Sequence, residues 1–521
     1  MTVVEERVET APPVMRHPQS HKGLVIGAVM LTTALSALDA NIVGTAIPSI
    51  VGALRGISLL PWLVTAFLLT STVTVPLYGK LSDLYGRKPV LLIGIAIFLI
   101  GSVLCGVAGS MEQLIAFRAL QGLGAGSVVP VTLTLIGDLF DLDERARLQG
   151  LFSAVWGVSS VLGPLAGGFI VQVWSWPWIF LINLPVGLVA MAVLGIYLRE
   201  PDRASRTRPR LDIAGALTLM GGVTAGLLAL SLASNGDPAG VVPAYGLLAA
   251  CVVLLAAFFV IERRAAEPLM PIDLLTLPIN RVSVISGVLS AGLLFGGGSY
   301  LAILAQGVWQ MSPLEAGLAL APLSIGWPLA STFCGRLIRR WGYRSVALTG
   351  AVLVAVGAVP LAWLGQDGPI WLLPVTMFVQ GVGFGLNFST ILMAVQNAVG
   401  WERRGAATSL YQFSRNIGGT LAGAALGFVL TIALTGELAR LPGLALPPAG
   451  GEAGGRLGAA NLLLDLGARA SLPPATKQAL TGALAGALHP VLIVLAVLGV
   501  ASLAATWFFP PIPHEDAPGP T

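Results

Sequence analysis

Long apolar runs broken by short polar turns organise this chain. Fourteen runs of spanning length fall near 23–48, 61–79, 88–108, 112–136, 148–172, 178–198, 212–232, 243–261, 282–306, 314–334, 345–364, 370–395, 405–433 and 488–509. About 20 apolar residues cross a bilayer as a helix. A lipid-exposed backbone must satisfy its own hydrogen bonds, so every run is predicted to be a membrane helix. Three breaks are longer than turns. Residues 199–210 carry five arginines and two prolines. Residues 262–280 hold a short amphipathic piece, 269–277, suited to a membrane surface. Residues 434–487 are rich in Gly, Ala, Leu and Pro, which suits a cap or a flexible segment.

Lys and Arg orient the runs. With the N-terminus in the cytoplasm, 22 of the 29 basic residues fall in the N-terminal tail and the inner loops. The outer loops then hold Arg55, Arg440, Arg456, Arg469 and Lys477, and Arg118 and Arg415 lie inside helices. An even helix count puts both termini inside. Composition agrees: 55% of residues are hydrophobic and only 10% charged, against roughly 25% charged in soluble proteins. That excludes an average soluble enzyme. The net charge of +4 is spread over loops and forms no nucleic-acid patch. Cys105, Cys251 and Cys334 have no metal-ligand spacing and read as small packing residues. There is no Walker A motif, so no nucleotide is expected, and no cofactor or metal. The tail 1–21 lacks the apolar core of a cleavable signal, so the first span is expected to stay.

Three echoes suggest a duplication. Gly79-x-Leu81…Gly86-x-Lys88 recurs as Gly335-x-Leu337…Gly342-x-Arg344, offset by 256. Gln121-Gly122-x-Gly124-x-Gly126 recurs as Gln380-Gly381-x-Gly383-x-Gly385, offset by 259. Gly163-x-Leu165-Ala166-Gly167 recurs as Gly419-x-Leu421-Ala422-Gly423, again offset by 256. Near-equal offsets in the same order imply two six-helix halves, one known transporter design. The expected divisions are a cytoplasmic tail at 1–22 and an N-terminal half at 23–198. A linker, an inserted helix pair and a loop follow at 199–281. A C-terminal half at 282–509, with its long outer loop, and a cytoplasmic tail at 510–521 complete the chain.

Few polar groups interrupt the runs, and these are the chemical candidates. Asp39, in Leu38-Asp39-Ala40-Asn41-Ile42-Val43-Gly44-Thr45-Ala46-Ile47-Pro48, lies at membrane depth, where a carboxylate is costly. It can carry a proton, pair permanently with an arginine, or cap a kink. Arg118, in Arg118-Ala119-Leu120-Gln121-Gly122, must face protein or water. Arg118 lies roughly 9 Å from the start of its helix and Asp39 about 13 Å from the outer end of helix 1. The two can therefore meet, as a proton-coupling pair or as a structural one. In the stretch 79–88, Gly79 permits close helix approach and Gly86 a turn that other residues resist. Asp83 can accept from Arg87 or from the first N–H groups of helix 3. Lys88 adds charge, and Asp138 is a further partner. Gly157, Gly163, Gly167 and Gly168 let helices pack closely, and Pro164 tends to bend the helix they share. Asn41, Trp62, Gln121, Trp327, Phe384, Asn387, Tyr411 and Arg415 are candidates to line a substrate cavity, although membrane aromatics more often pack or face lipid. Arg415 needs a partner that the sequence does not name. Glu112 and Glu315 lie near outer ends, so Asp39 is the acid clearly in mid-span.

These segments resemble the major facilitator superfamily, in particular its fourteen-helix drug:proton antiporter branch. The match is carried by Asp39 to Pro48, by Gly79-x-Leu81-x-Asp83-x-x-Gly86-Arg87-Lys88, by Arg118 to Gly126 and by Gly157-x5-Gly163-Pro164-x-x-Gly167-Gly168. Trp176-Pro177-Trp178 is a softer match, with Pro where the family usually has Arg. The resemblance implies an all-α major facilitator fold of fourteen transmembrane helices and no enzymatic activity. It implies that Gly79, Asp83, Gly86, Arg87, Lys88 and Asp138 latch the halves on the cytoplasmic side. It gives Asp39 and Arg118 a part in proton coupling, and makes 157–168 an antiporter signature. In the second copy, Arg339 replaces Asp83 and Met377 replaces Arg118, so the second loop is not expected to be an equivalent latch. The expected function is proton-coupled export of amphipathic or cationic drugs across the cell (inner) membrane. The partners are then a small molecule, protons and lipid. The alternatives are a dedicated exporter of one metabolite or antibiotic, or a lipid translocase.

Overall fold

The computed structural model describes residues 22–54, 60–200, 212–234, 238–265, 268, 272–366, 368–441 and 473–511. The expected tails, most of the arginine-rich linker and 442–472 of the long loop lie outside the described residues. The described chain is all helix and turn. The first half comprises α1 (Lys22–Leu54), α2 (Leu60–Tyr85), α3 (Arg87–Gly106), α4 (Met111–Leu139), α5 (Leu142–Val173), the short α6 (Trp178–Leu181) and α7 (Asn183–Tyr197). The pair α8 (Ile213–Ser234) and α9 (Pro238–Glu262) follows. The second half comprises α10 (Ile272–Thr276), α11 (Pro278–Ala291), α12 (Gly297–Ile303), α13 (Pro313–Leu320), α14 (Pro322–Ala358), α15 (Leu372–Asn397), α16 (Arg404–Ala439) and α17 (Pro474–Trp507). A π-helical turn at Gly292–Gly296 links α11 and α12 into one interrupted rod, and a second at Leu304–Val308 ends it.

All fourteen apolar runs fall on helices, but spanning length is met less often. Among the described residues ten helices are long and apolar enough to cross a bilayer, or eleven if the bent pair Leu142–Ser160 and Leu165–Val173 is one span. One 50-residue stretch, Leu314–Trp363, takes in two of the expected runs. It is broken at Gly342, where φ is 82° and ψ 161°. The stretch expected as a loop at 79–88 is also a single-residue break. α2 runs to Tyr85, α3 starts at Arg87, and Gly86 between them has φ 107° and ψ 152°. Only glycine adopts that backbone without strain. The long outer loop is shorter than expected too, because α16 continues to Ala439 and α17 begins at Pro474.

Three glycine contacts of the first half recur in the second. A Cβ on Gly124 would strike Phe98 N and Gly94 O, and one on Gly383 would strike Val354 N and Gly350 O. Gly122 faces Phe67 O as Gly381 faces Leu323 O, and Gly126 faces Ser71 O as Gly385 faces Trp327 O. Small residues hold these backbones in contact. The same device joins the halves at two seams. On one, Gly79 of α2 lies against Ser409 and Gly405 O of α16. On the other, Gly150 and Gly157 of α5 lie against Pro328 O, Thr332 and Ser324 of α14. α8 and α9 pack on each other, and α8 sits on the α2–α16 seam through a cluster of Val73, Ala216, Leu219, Val223 and Phe258.

Candidate functional site

Two polar clusters stand out, one at an end of the bundle and one inside the first half. The end cluster forms where α2 meets α3. Arg87 is buried, and its guanidinium bonds Asp83 Oδ1 at 2.9 Å, Asp138 Oδ2 at 2.9 Å, Ser82 O at 2.9 Å and Trp401 O at 3.0 Å. It also stacks 4.6 Å from the Trp401 ring. Asp83 accepts from the N–H groups of Gly405 at 2.9 Å and Ala406 at 2.7 Å, in the first turn of α16. The residue preceding α16, Arg403, makes no side-chain cap. Asp83 therefore caps across the inter-half seam, placing a carboxylate at the positive end of the helix dipole. Of the two partners expected for Asp83, Arg87 is met and the first N–H groups of α3 are not. The N–H groups of Arg87 and Lys88 go instead to Glu200 Oε1, at 2.6 and 3.0 Å. Asp138 also pairs with Arg404 at 3.4 Å.

The second loop makes a different contact across the halves. Arg339 of α14 pairs with Asp143 in the first turn of α5. Both side chains are about two-fifths exposed, 42% and 39%, so the pair is the weaker kind. Arg145 to Asn397 Oδ1 at 2.9 Å and Gln396 to Leu133 O at 3.0 Å add inter-half bonds beside it.

The inner cluster centres on Asp39, which is fully buried. Asp39 Oδ2 accepts from Arg118 Nη1 at 2.7 Å, and Oδ1 accepts from Gln121 Nε2 at 2.8 Å and Asn183 Nδ2 at 3.1 Å. Arg118 also donates to Gln121 Oε1 at 2.7 Å, and its guanidinium lies 4.0 Å from the Phe67 ring. Ser102 accepts from Gln121 and Asn183 and donates to Phe180 O at 3.1 Å. A buried ion pair is tolerated where further hydrogen bonds satisfy its remaining atoms, and losing one partner costs about 3–5 kcal/mol. Gln121 thus belongs to the acid's shell rather than to a cavity wall. Sequence reasoning missed Asn183 and Ser102 as partners. An Asn inside an apolar helix was a usable signal for the first, and Ser102 gave none.

The remaining candidates divide. Gly157 forms part of the α5–α14 seam, while Gly163 lies against Asn41 of α1. α5 bends by 45° between Ser160 and Leu165, the interval that holds Pro164. Gly167 is buried, but a Cβ on Gly168 would meet open space. Asn41 donates to Ala37 O at 2.7 Å, and Trp62 is half-buried near the start of α2. Asn387 is buried and donates to Ala347 O, so it joins α15 to α14 and is not placed to line a cavity. Trp327, Phe384, Phe388, Tyr411 and Arg415 do come together. Arg415 lies 3.9 Å over Phe388 and 5.9 Å from Trp327, with Phe384 and Phe388 stacked at 5.3 Å. Phe384 and Tyr411 are fully buried within this group.

The described chain is an all-helical bundle with ten or eleven helices long and apolar enough to cross a membrane, glycine-lined helix contacts and a charged cluster at one end. The profile of the Major Facilitator Superfamily matches residues 29–423, and the chain belongs to that family. It is 38% identical to the multidrug transporter protein MdtP of Bacillus subtilis over 417 residues, 79% of this chain and 76% of that one. It is 33% identical to multidrug resistance protein 3 of the same organism over 496 residues, 94% of this chain and 95% of the other. Among solved structures, the proton:xylose symporter XylE shares the fold, with a TM-score of 0.62 at 14% identity over 95% of this chain and 97% of XylE. The protein is therefore a multi-pass membrane transporter of the cell's inner membrane and not an enzyme.

Proposed function

We propose that this protein is a proton-coupled exporter of amphipathic drugs, of the fourteen-helix drug:proton antiporter type. The multidrug names of its relatives support the export reading. The observation that carries proton coupling is the Asp39 cluster, a buried acid whose ligands all come from one half. On this reading the end bearing the latch is cytoplasmic, both termini lie inside, and α8 and α9 are an inserted pair. With the latch formed, the halves are closed on that side and open outwards. A proton from outside neutralises Asp39 and removes the charge that holds Arg118. The freed guanidinium is then buried with Gln121 as its remaining acceptor, an unfavourable state that favours rearrangement. α2 and α4 run from this cluster to the latch: Phe67 and Asp83 lie on α2, Arg118 and Asp138 on α4. At 1.5 Å per residue the latter pair is about 30 Å apart, so α4 is one rigid connection between the two clusters. The halves then rock, exposing the site inwards. The bend near Pro164 fits the antiporter signature, which argues for export over uptake.

The test is efflux of fluorescein and of rhodamine 123 from proteoliposomes under an imposed pH gradient. Wild type is expected to export at least one dye in proportion to the gradient, and Asp39→Asn to lose that dependence. Equal rates and equal gradient dependence in the two proteins remove Asp39 as the proton carrier.

A further inference from the structure

The second half contains a buried-guanidinium arginine with no acid paired to it among the described residues. Arg415 lies inside α16, about 15 Å past the Asp83-capped N-terminus at 1.5 Å per residue. Among the described residues no carboxylate lies within ion-pairing distance of it. Its single hydrogen bond is long, 3.3 Å to Gln412 Oε1 one turn earlier, and its Nε is buried without a partner. The hydroxyl of Tyr411, four residues back on the same helix, is also buried without a partner. The guanidinium rests on the ring of Phe388, with Trp327 beside it. Ring faces offset part of the desolvation of a cation but do not accept its N–H groups in the way a carboxylate does.

Location argues that this is more than packing. Trp327 lies on α14, the helix that meets α5 at Gly157, and Arg415 lies on α16, the helix that meets α2 at Gly79. The cation therefore sits between the two inter-half seams, where transporters of this design bind cargo. The residue as a whole is half-buried. The acid that would make a cationic cargo attractive, Asp39, is already held by Arg118, Gln121 and Asn183. The fixed charge left without a counter-ion is positive.

We propose that Arg415 is the cargo's counter-ion: it receives the carboxylate or phenolate of an amphipathic drug, whose ring lies against Phe388 and Trp327 while Tyr411 donates a second hydrogen bond. This rests on the export reading and names the substrate class for it. The test is fluorescence anisotropy of purified protein in nanodiscs with two dyes that share a xanthene core, fluorescein as the anion and rhodamine 123 as the cation. Wild type is expected to prefer fluorescein. Arg415→Gln is expected to weaken fluorescein binding by about 10- to 100-fold, the loss of a charge-assisted hydrogen bond, and to leave rhodamine 123 within roughly 2-fold. If Arg415→Gln does not fold, Arg415→Lys decides. It keeps the charge but loses the fork, and is expected to weaken fluorescein alone, by about 3- to 10-fold. A wild type that prefers rhodamine 123, or variants that weaken both dyes equally or neither, overturns the proposal. Binding is read without a gradient, so failure of charge selection leaves proton-driven export standing, and failure of export leaves the binding result standing.

Discussion

In the first half, position 118 is an arginine held by Asp39; in the second, the echoed position is Met377, buried in apolar surroundings. Gln121 serves the acid, whereas its echo Gln380 donates to the backbone at Gly357 O. The glycines around both are in mirrored contacts, so the scaffold is shared and the polar chemistry is not. A duplicated bundle needs its small residues in both copies to keep backbones close. The buried acid–arginine pair is found in the first copy and not at the echoed positions of the second. The charged contacts at the bundle end differ in the same way. Asp83 lends a carboxylate to an α16 terminus that has no side-chain cap of its own. α5 already has the capping box of Asp141 and Glu144, and Arg339 meets it through Asp143.

Substitutions can break this comparison, beginning with the largest effect. Arg118→Ala strands a buried carboxylate and is expected to destabilise the protein by about 3–5 kcal/mol, read as thermal unfolding in detergent. The double variant Asp39→Asn with Arg118→Gln should recover most of that stability and none of the gradient response. Met377→Arg places the first half's cation in the second half without its acid. It should cost on the order of 2.5–3.5 kcal/mol, and a neutral outcome would mean that the halves are chemically interchangeable there. Gly86→Ala and Gly342→Ala should each cost about 1–3 kcal/mol, because both glycines hold backbone that other residues resist. Unequal costs would show that the duplicated turns have diverged. Asp83→Asn weakens the trans cap and should cost about 1–2 kcal/mol while shifting inter-half distances towards opening at the latch, measured by spin-label distance distributions. Arg339→Gln, an exposed pair, should change stability by less than about 1 kcal/mol and leave those distributions unchanged.

Much of this was legible in the sequence, for physical reasons. Apolar length placed every run on a helix, and two charges at matching depth gave the Asp39–Arg118 pair. The run count did not become a count of spans, because two expected runs share one long element kinked at Gly342 and α5 is bent by 45°. The charged cluster was legible in part: Asp83, Arg87 and Asp138 have a sequence pattern, but the contacts at Gly405, Ala406 and Trp401 O are to backbone atoms, which carry no side-chain signal. The link from Arg339 to Asp143 was hidden because a loop read by itself looks uniformly positive, and its acid lies on the other half. Arg415 was visible as a charge without a partner, and the structure supplies aromatic rings rather than an acid.

Proton binding by the first half is decided by dye efflux from proteoliposomes, measured with and without an imposed pH gradient for wild type and Asp39→Asn. The variant should still exchange dye without a gradient but no longer export faster when the gradient is applied. A variant whose export rises with the gradient as steeply as that of wild type would contradict it.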